Sequence, residues 1–455
     1  MMQNKQSAAY DRINRLLDEG SFVELGAYVT ARSTDFNMPG QETPADGVLT
    51  GYGTIGSALV YVYSQDASVL AGSMGEMHAK KIVHIYEQAC RMGAPVIGLI
   101  DCAGLRLQEA TDALDGFGRL YKAQTEAAGV VPQIQAVLGS CGGGMAVSAA
   151  LADFTFMESA GSRLFVNAPN AVKGNHEDVC NTASAAFQAE ETGLADAVGT
   201  EDEILAQIRE LVSLLPANSI DGPVYDICED DLNRMTAGIE GFVSAPEDAL
   251  KTISDNYYFF EVKKAYAPEM ITGFIRLNGM TIGAVANKEP RLTWQGCDKA
   301  AEFVDFCDAF GIPILSLTNV EGYASDMETE RHMARAAAGL TYTFASAEVP
   351  KVNLIIGKAY GTSYLSMNSQ SIGADVVFAW PQASIGMMDP KAAAAIICAG
   401  TDADLDAAAA QYAELQSSAL AAAKRGYVDD IIEPAETRKR LAAAFEMLFT
   451  KRRRS

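Results

Sequence analysis

Basic side chains are scarce, with 35 Lys and Arg against 58 Asp and Glu among 455 residues and a formal net charge of −23. A body this acidic repels a polyphosphate backbone, so no nucleic-acid partner is expected. The one dense basic run, Lys451-Arg452-Arg453-Arg454, reads as a solvated tail. Histidine is scarcer still: His78, His84, His176 and His332 form no HExxH or HxH grouping. The eight cysteines include no CxxC and no zinc-type spacing, which argues against a metal site and a disulfide framework and fits a reducing compartment. No window approaches the length of about 18 apolar residues that a membrane span needs, and the first residues, MMQNKQSAAYDRINRLLDEGSF, carry no apolar core of a signal peptide. The expected location is the cytoplasm. What is present is apolar mass: 49% of the residues are hydrophobic and 20% charged, the composition of a globular protein with a large core.

Self-similarity sets the domain count. GAPVIGLIDCAG begins at Gly93 and GIPILSLTNVEG at Gly311, while VVPQIQAVLGSCGGG begins at Val130 and EVPKVNLIIGKAYGT at Glu348; both pairs stand 218 positions apart. Pro95/Pro313, Gly104/Gly322, Gly139/Gly357 and Gly143/Gly361 keep that offset, and Thr50-Gly51 with Thr272-Gly273 shifts it to 222 through small insertions. The chain reads as two homologous halves, 1–222 and 223–455, divided in the acidic, Pro- and Gly-punctuated stretch SIDGPVYDICEDD. Each half alternates strand-like apolar runs (ALVYVYSQ, PVIGLID, IQAVLG) with helical spacing such as Glu76 to Met92. Strands separated by helices of that length imply an α/β fold with mainly parallel pairing.

In such folds ligands gather beyond the carboxyl ends of the strands. Three loops there are rich in small residues: Ala71 to Glu76, Asp101 to Gly104, and Cys141 to Gly144. The last opens a helical stretch, so its glycines sit among unpaired N–H groups at the positive end of a helix dipole, as an oxyanion hole requires. Close helix–strand packing is an equally good reading of a lone glycine triplet. The same loop recurs as Ala359-Tyr360-Gly361-Thr362-Ser363, however, and two such pockets suit a reaction between two carbonyl-bearing partners. Asp101, Arg106 and Glu109 read more plainly as a helix-starting ion pair than as substrate contacts. Cys102 and Cys141 read as buried thiols, Trp294 and Trp380 as core, and Lys358 equally as a carboxylate-attracting or a solvated cation.

The pair AGSMGE and GSCGGGMAVSAALAD resembles the crotonase superfamily. More narrowly, the chain is similar to the carboxyltransferase subunit of biotin-dependent acyl-CoA carboxylases and decarboxylases, of the acyl-CoA carboxylase beta and methylmalonyl-CoA decarboxylase alpha type. The matching segments run from about residue 12 to 450 and include LLDEGSFVEL, YVYSQDASVLAGSMGEMHAKKI, DCAGLRLQEA, VPKVNLIIGKAYGTSY, GADVVFAWPQASIGMM and RGYVDDIIEPAETRKRL. That resemblance implies a tandem of two crotonase-like (ClpP/crotonase) domains, the first on the acyl-CoA side and the second on the biotin side. It implies that Gly143 and Gly144 face the thioester carbonyl, that Gly361, Thr362 and Ser363 face the biotin ureido oxygen, and that Ser73, Met74, Gly104 and Tyr360 contact the bound groups. Its implied partners are an acyl-CoA, a biotinyl carrier protein, and a biotin carboxylase or a sodium-pump membrane subunit. Its implied assembly is a homohexamer, a trimer of dimers.

Departures from the family pattern lie at Asn319-Val320-Glu321-Gly322-Tyr323, where Asp-Val-Pro-Gly-Phe is usual, and at Thr362-Ser363, where Gly-Ala is usual. No Met-Lys-Met tract and no ATP-grasp-like phosphate loop occurs, so biotin attachment and its ATP-driven carboxylation are expected of partners. The alternatives are a crotonase-type enoyl-CoA hydratase or isomerase and a non-catalytic scaffold subunit. A hydratase needs a Glu two positions after the glycine triplet, where Ala146 stands.

Overall fold

The computed structural model describes residues 7–32 and 42–451. Arg452, Arg453 and Arg454 lie outside the described residues, and Lys451 is not a solvated cation. Its Nζ donates to the Val349 carbonyl at 2.9 Å and to the Asp375 carboxylate at 2.7 Å. A carbonyl and a carboxylate just ahead of two sheet strands, Lys351–Tyr360 and Val376–Ala379, capture it, which corrects the tail reading at its first residue. The chain divides into two compact units, Met1–Gly222 and Pro223–Ser455.

In the first unit the strands are β1 (Val23–Leu25), β2 (Val48–Ile55), β3 (Ala58–Gln65), β4 (Val96–Cys102), β5 (Gln133–Gly142), β6 (Phe154–Glu158), β7 (Arg163–Phe165) and β8 (Ala197–Gly199). They form one sheet in the order β1-β2-β3-β4-β5-β6-β8, with β7 added at the end of β5. Helix α1 (Glu76–Met92) crosses from β3 to β4, α2 (Ala110–Ala127) from β4 to β5, and α3 (Gly144–Ala150) follows β5. Strands β3, β4, β5 and β6 pair in parallel, as crossover helices require. The first three strands are antiparallel instead. That departure from the parallel reading comes from a two-residue hairpin at Gly56-Ser57, whose φ values of 55° and 71° match the twist of the strands it joins. Residues of β4 are buried on both faces, and α1 lays Ile82, Ile85, Tyr86 and Ala89 against them.

The second unit repeats this plan with β9 (Phe260–Val262), β10 (Met270–Leu277), β11 (Met280–Asn287), β12 (Arg291–Leu292), β13 (Ile314–Val320), β14 (Gly322–Tyr323), β15 (Lys351–Tyr360), β16 (Val376–Ala379), β17 (Ser384–Gly386) and β18 (Asp430–Ile431). Its main sheet runs β18-β16-β15-β13-β11-β10-β9. Helices α4 (Trp294–Ala309) and α5 (Met327–Ser346) make the crossovers, and α6 (Gly361–Ser366) follows β15. The hairpin recurs at Asn278-Gly279, with φ of 52° and 78°.

Two further devices hold both sheets. Buried Lys81 donates to the carbonyls of Ala45 and Val48, and buried Lys299, 218 positions on, to those of Tyr266 and Ala267. Burial lowers the Lys81 pKa to about 8. A Cβ on Gly51 would lie 2.2 Å from the Val23 oxygen, and one on Gly273 would lie 2.3 Å from the Phe260 oxygen. Edge-strand backbone therefore passes where any other residue would carry a side chain. Trp380 is buried in the second core with its N–H on Thr437 Oγ1 at 3.0 Å, whereas Trp294 stacks on His332 at 4.7 Å between centroids.

Gly273→Ala should lower stability by about 1–3 kcal/mol through forced displacement of β9. The check is a denaturant midpoint, and an unchanged midpoint would contradict the close approach.

Candidate active site

The three loops singled out by composition meet at the carboxyl ends of β3, β4 and β5. Ala103 N–H donates to the Ala71 carbonyl at 3.1 Å, Met74 N–H to the Gly104 carbonyl at 2.9 Å, and Arg106 N–H to the Met74 carbonyl at 3.0 Å. Cys102 and Cys141 are register partners on β4 and β5. Glycine is required where the backbones touch. A Cβ on Gly72 would sit 2.0 Å from the Asp101 carbonyl oxygen, and one on Gly104 would sit 3.2 Å from that of Gly142. The loops thus form one continuous wall.

The glycine triplet sits on that wall and divides its roles. Gly143 takes φ +58° and ψ −121°, a conformation that turns its N–H back to the Phe165 carbonyl of β7 at 2.8 Å. Its amide is spent, so the structure removes Gly143 from the thioester donors implied by the resemblance. Its role is to turn the chain. Gly144 is the first residue of α3, where N–H groups lack a partner inside the helix, and no side chain caps that end. Tyr121 Oη donates to the Gly144 carbonyl at 2.7 Å and fixes the peptide. The amides of Ser73 and Met74 are likewise spent, on Leu70 and Gly104, and the Met74 side chain is buried in the core. Both residues, with Gly104, belong to the loop wall and present no free N–H.

The second unit carries the equivalent turn. Gly361 has φ +61° and opens α6, again with no side-chain cap, so the first N–H groups of Gly361, Thr362 and Ser363 have no partner within the helix. Ser363 Oγ donates back to the Tyr360 carbonyl at 2.9 Å, which steadies the turn. Tyr360 is 4% exposed and its hydroxyl donates to Ser384 Oγ at 2.9 Å, so it supports β17 from within. Beside Gly361 lies a cavity of about 470 Å³ lined by Leu365, Ile385, Met387, Gln416 and Tyr427 among others.

Both units hold the approach to the turn in one way. Asp101 Oδ1 accepts the Ser140 N–H at 3.1 Å, and Asn319 Oδ1 accepts the Lys358 N–H at 2.9 Å. The two acceptors stand over Gly139 and Gly357, where a Cβ would lie 2.1 Å and 2.4 Å from the carboxylate and carboxamide oxygens. The departure at Asn319 therefore keeps the acceptor and drops the charge. Glu321 forms an ion pair with Lys358, which raises the lysine pKa, and both line a second cavity of about 490 Å³. This pair was not expected from the sequence, although the Glu in place of the usual Pro marks it.

No side chain here is poised as a nucleophile. Burial pushes the Cys102 thiol up to about 11 and the Cys141 thiol well above its ordinary value. His78 is fully buried, and burial holds its pKa far below the usual range, so the ring is neutral. The donors left are backbone amides. At pH 8 iodoacetamide should modify exposed Cys180 and spare Cys102 and Cys141. Peptide mass spectrometry checks this, and modification of either buried thiol in the folded protein would contradict it.

A model of the carboxyl transferase domain matches residues 2–455. Methylmalonyl-CoA decarboxylase subunit alpha of Veillonella parvula is 40% identical over 468 residues, covering 99% of this chain and 91% of that protein. Propionyl-CoA carboxylase beta chain of Roseobacter denitrificans is 41% identical over 464 residues, covering 97% and 91%. Among solved structures, transcarboxylase 12S with hydrolysed methylmalonyl-coenzyme A bound matches at a TM-score of 0.94 and 37% identity, over 100% of this chain and 91% of that one. The tandem crotonase-like fold is that of the transcarboxylase subunit. By domain match, by relatives and by fold, the chain belongs to the carboxyl transferase family.

Proposed function

We propose that the protein transfers a carboxyl group between biotin on a separate carrier protein and the α-carbon of a short-chain acyl-CoA. The observation that carries this reading is the duplicated turn. Each unit ends its long central strand in a left-handed glycine and opens an uncapped helix, so each offers backbone N–H groups to an oxygen that gains negative charge. In the first unit the Gly144 amide would hold the thioester oxygen as the α-carbon becomes enolate-like. In the second, the amides of Thr362 and Ser363 would hold the ureido oxygen, and the biotin ring would supply the nitrogen that carries the carboxyl group. The transfer breaks one bond to the carboxyl carbon and forms another, and the α-proton passes the opposite way.

Relatives named both as a decarboxylase and as a carboxylase match at nearly equal identity, which fits a site that serves either direction and leaves the driving force to partners. The transcarboxylase 12S structure is described as a hexamer with substrate bound. We infer the same assembly here, with the acyl-CoA unit of one subunit working with the biotin unit of another. A hydratase would need a carboxylate at Ala146, a side chain 2% exposed.

Purified protein with biotin or carboxybiotin should exchange carboxyl groups with a member of a panel of propionyl-, methylmalonyl-, acetyl- and malonyl-CoA. No exchange with any member would contradict the reading. The amide role has a separate check at the exposed Thr362. Thr362→Pro removes the N–H and should cost roughly 10²-fold in turnover, whereas Thr362→Ala keeps it and should stay within about threefold. Equal rates for the two variants would remove this amide from the site.

A further inference from the structure

Backbone strain in the first unit is concentrated in and beside the loop wall. Leu70, Ala71 and Gly72 take φ of +50°, +53° and +64° in succession, and Ala45, Asp46 and Ala110 are also left-handed at +53°, +50° and +47°. Among the described residues of this unit, the one other non-glycine residue in that region is Ser57 of the hairpin. Such residues persist only where the surroundings over-determine them.

The three strained segments meet at one guanidinium. Arg106 Nη1 donates to Asp46 Oδ1 at 2.6 Å and to Glu109 Oε1 at 2.8 Å, and Nη2 donates to the Ser73 carbonyl at 2.7 Å. Glu109 Oε2 accepts the Glu76 N–H that opens α1 at 2.7 Å, and Asp46 Oδ2 accepts the His78 N–H at 2.8 Å. All three charged side chains have 0% exposure. Arg106 Nε is buried without a partner, a loss tolerated where the fork's other contacts fix geometry.

The cluster is not a by-product of the duplication. The repeat offsets place Pro268, Ala324 and Met327 at the equivalents of Asp46, Arg106 and Glu109, whereas the buried lysine pair survived in both halves. It belongs to the unit assigned to acyl-CoA alone.

We propose that Arg106 is a positioning residue for the thioester pocket. Its fork, oriented by Asp46 and Glu109, holds the strained 70–74 loop against Gly104, and Gly104 in turn lies against the Gly142 carbonyl just ahead of the Gly144 amide. This rests on the carboxyl-transfer reading above. Misplacing reacting groups by about 1 Å costs roughly 10²-fold, so loosening this clamp should lower turnover more than affinity.

Arg106→Lys keeps the charge but one ammonium cannot span Asp46, Glu109 and Ser73; Glu109→Gln keeps the shape and removes the charge. Each variant, assembled as the wild type is, should lose about tenfold or more in kcat, with KM for acyl-CoA within about threefold. Amide hydrogen exchange over 70–76 should rise while exchange in β4 does not. Wild-type kcat in an assembled variant, a loss confined to KM, or lowered kcat with unchanged exchange over 70–76 would each overturn the proposal. Should neither variant assemble, or the wild type show no carboxyl exchange, hydrogen exchange on the wild-type protein decides. The 70–76 amides protected as β4 is supports the clamp, and exchange as fast as in exposed loops overturns it. An inactive wild type with a protected loop would therefore fault the function reading and not the clamp.

Discussion

Everything chemical in this chain depends on how a parallel strand hands over to a helix. A helix begins with N–H groups that its own backbone cannot satisfy, and a strand that runs straight into it leaves little room for a side-chain cap. At the end of β5 and again at the end of β15 a left-handed glycine makes that junction and no side chain fills the gap. The first N–H groups of each helix are therefore left without a partner inside the helix. Because they are fixed by backbone hydrogen bonding, they need no reorganisation as charge builds on an oxygen they hold.

The surrounding sheet exists to keep those donors still. Asp101 and Asn319 each catch the amide three residues before the turn glycine, over a glycine that leaves space for the side chain. Lys81 and Lys299 tie the turn that enters the hairpin, and Gly51 and Gly273 let an edge strand press against it. These devices predate the divergence of the halves, since they recur at the repeat offsets. What differs between halves lies beside the pockets: a buried Asp46–Arg106–Glu109 cluster in the first unit, and the partly exposed Glu321–Lys358 pair in the second. Different charged groups beside the two turns are what two different ligands on one scaffold would select.

Much of this is legible in the amino-acid order because glycine and proline mark backbone geometry locally. The 218-residue offset, the three small-residue loops and the span of the Glu76–Met92 helix all follow from short-range pattern, and the helix has those bounds in the structure. The antiparallel start of each sheet was less visible, although Asn278-Gly279 is a hairpin signal, because the apolar runs around it read equally as buried parallel strands. The direction of the Gly143 N–H is hidden from the sequence for a different reason. Composition shows that a glycine can turn the chain, but the direction of its N–H depends on φ and on β7, which arrives some twenty residues later. The partners of Arg106 divide the same way: Glu109, three residues on, could be read from spacing, while Asp46 and the Ser73 carbonyl are brought in by the fold. Lys451 looked like a tail because its acceptors, Val349 and Asp375, lie far away in sequence.

The most direct measurement is the infrared stretch of a ¹³C-labelled thioester carbonyl in propionyl-CoA bound to the assembled protein. Backbone amides aimed at that oxygen predict a band moved to lower frequency than in solution. A bound thioester whose carbonyl absorbs at its solution frequency would contradict the backbone-amide account.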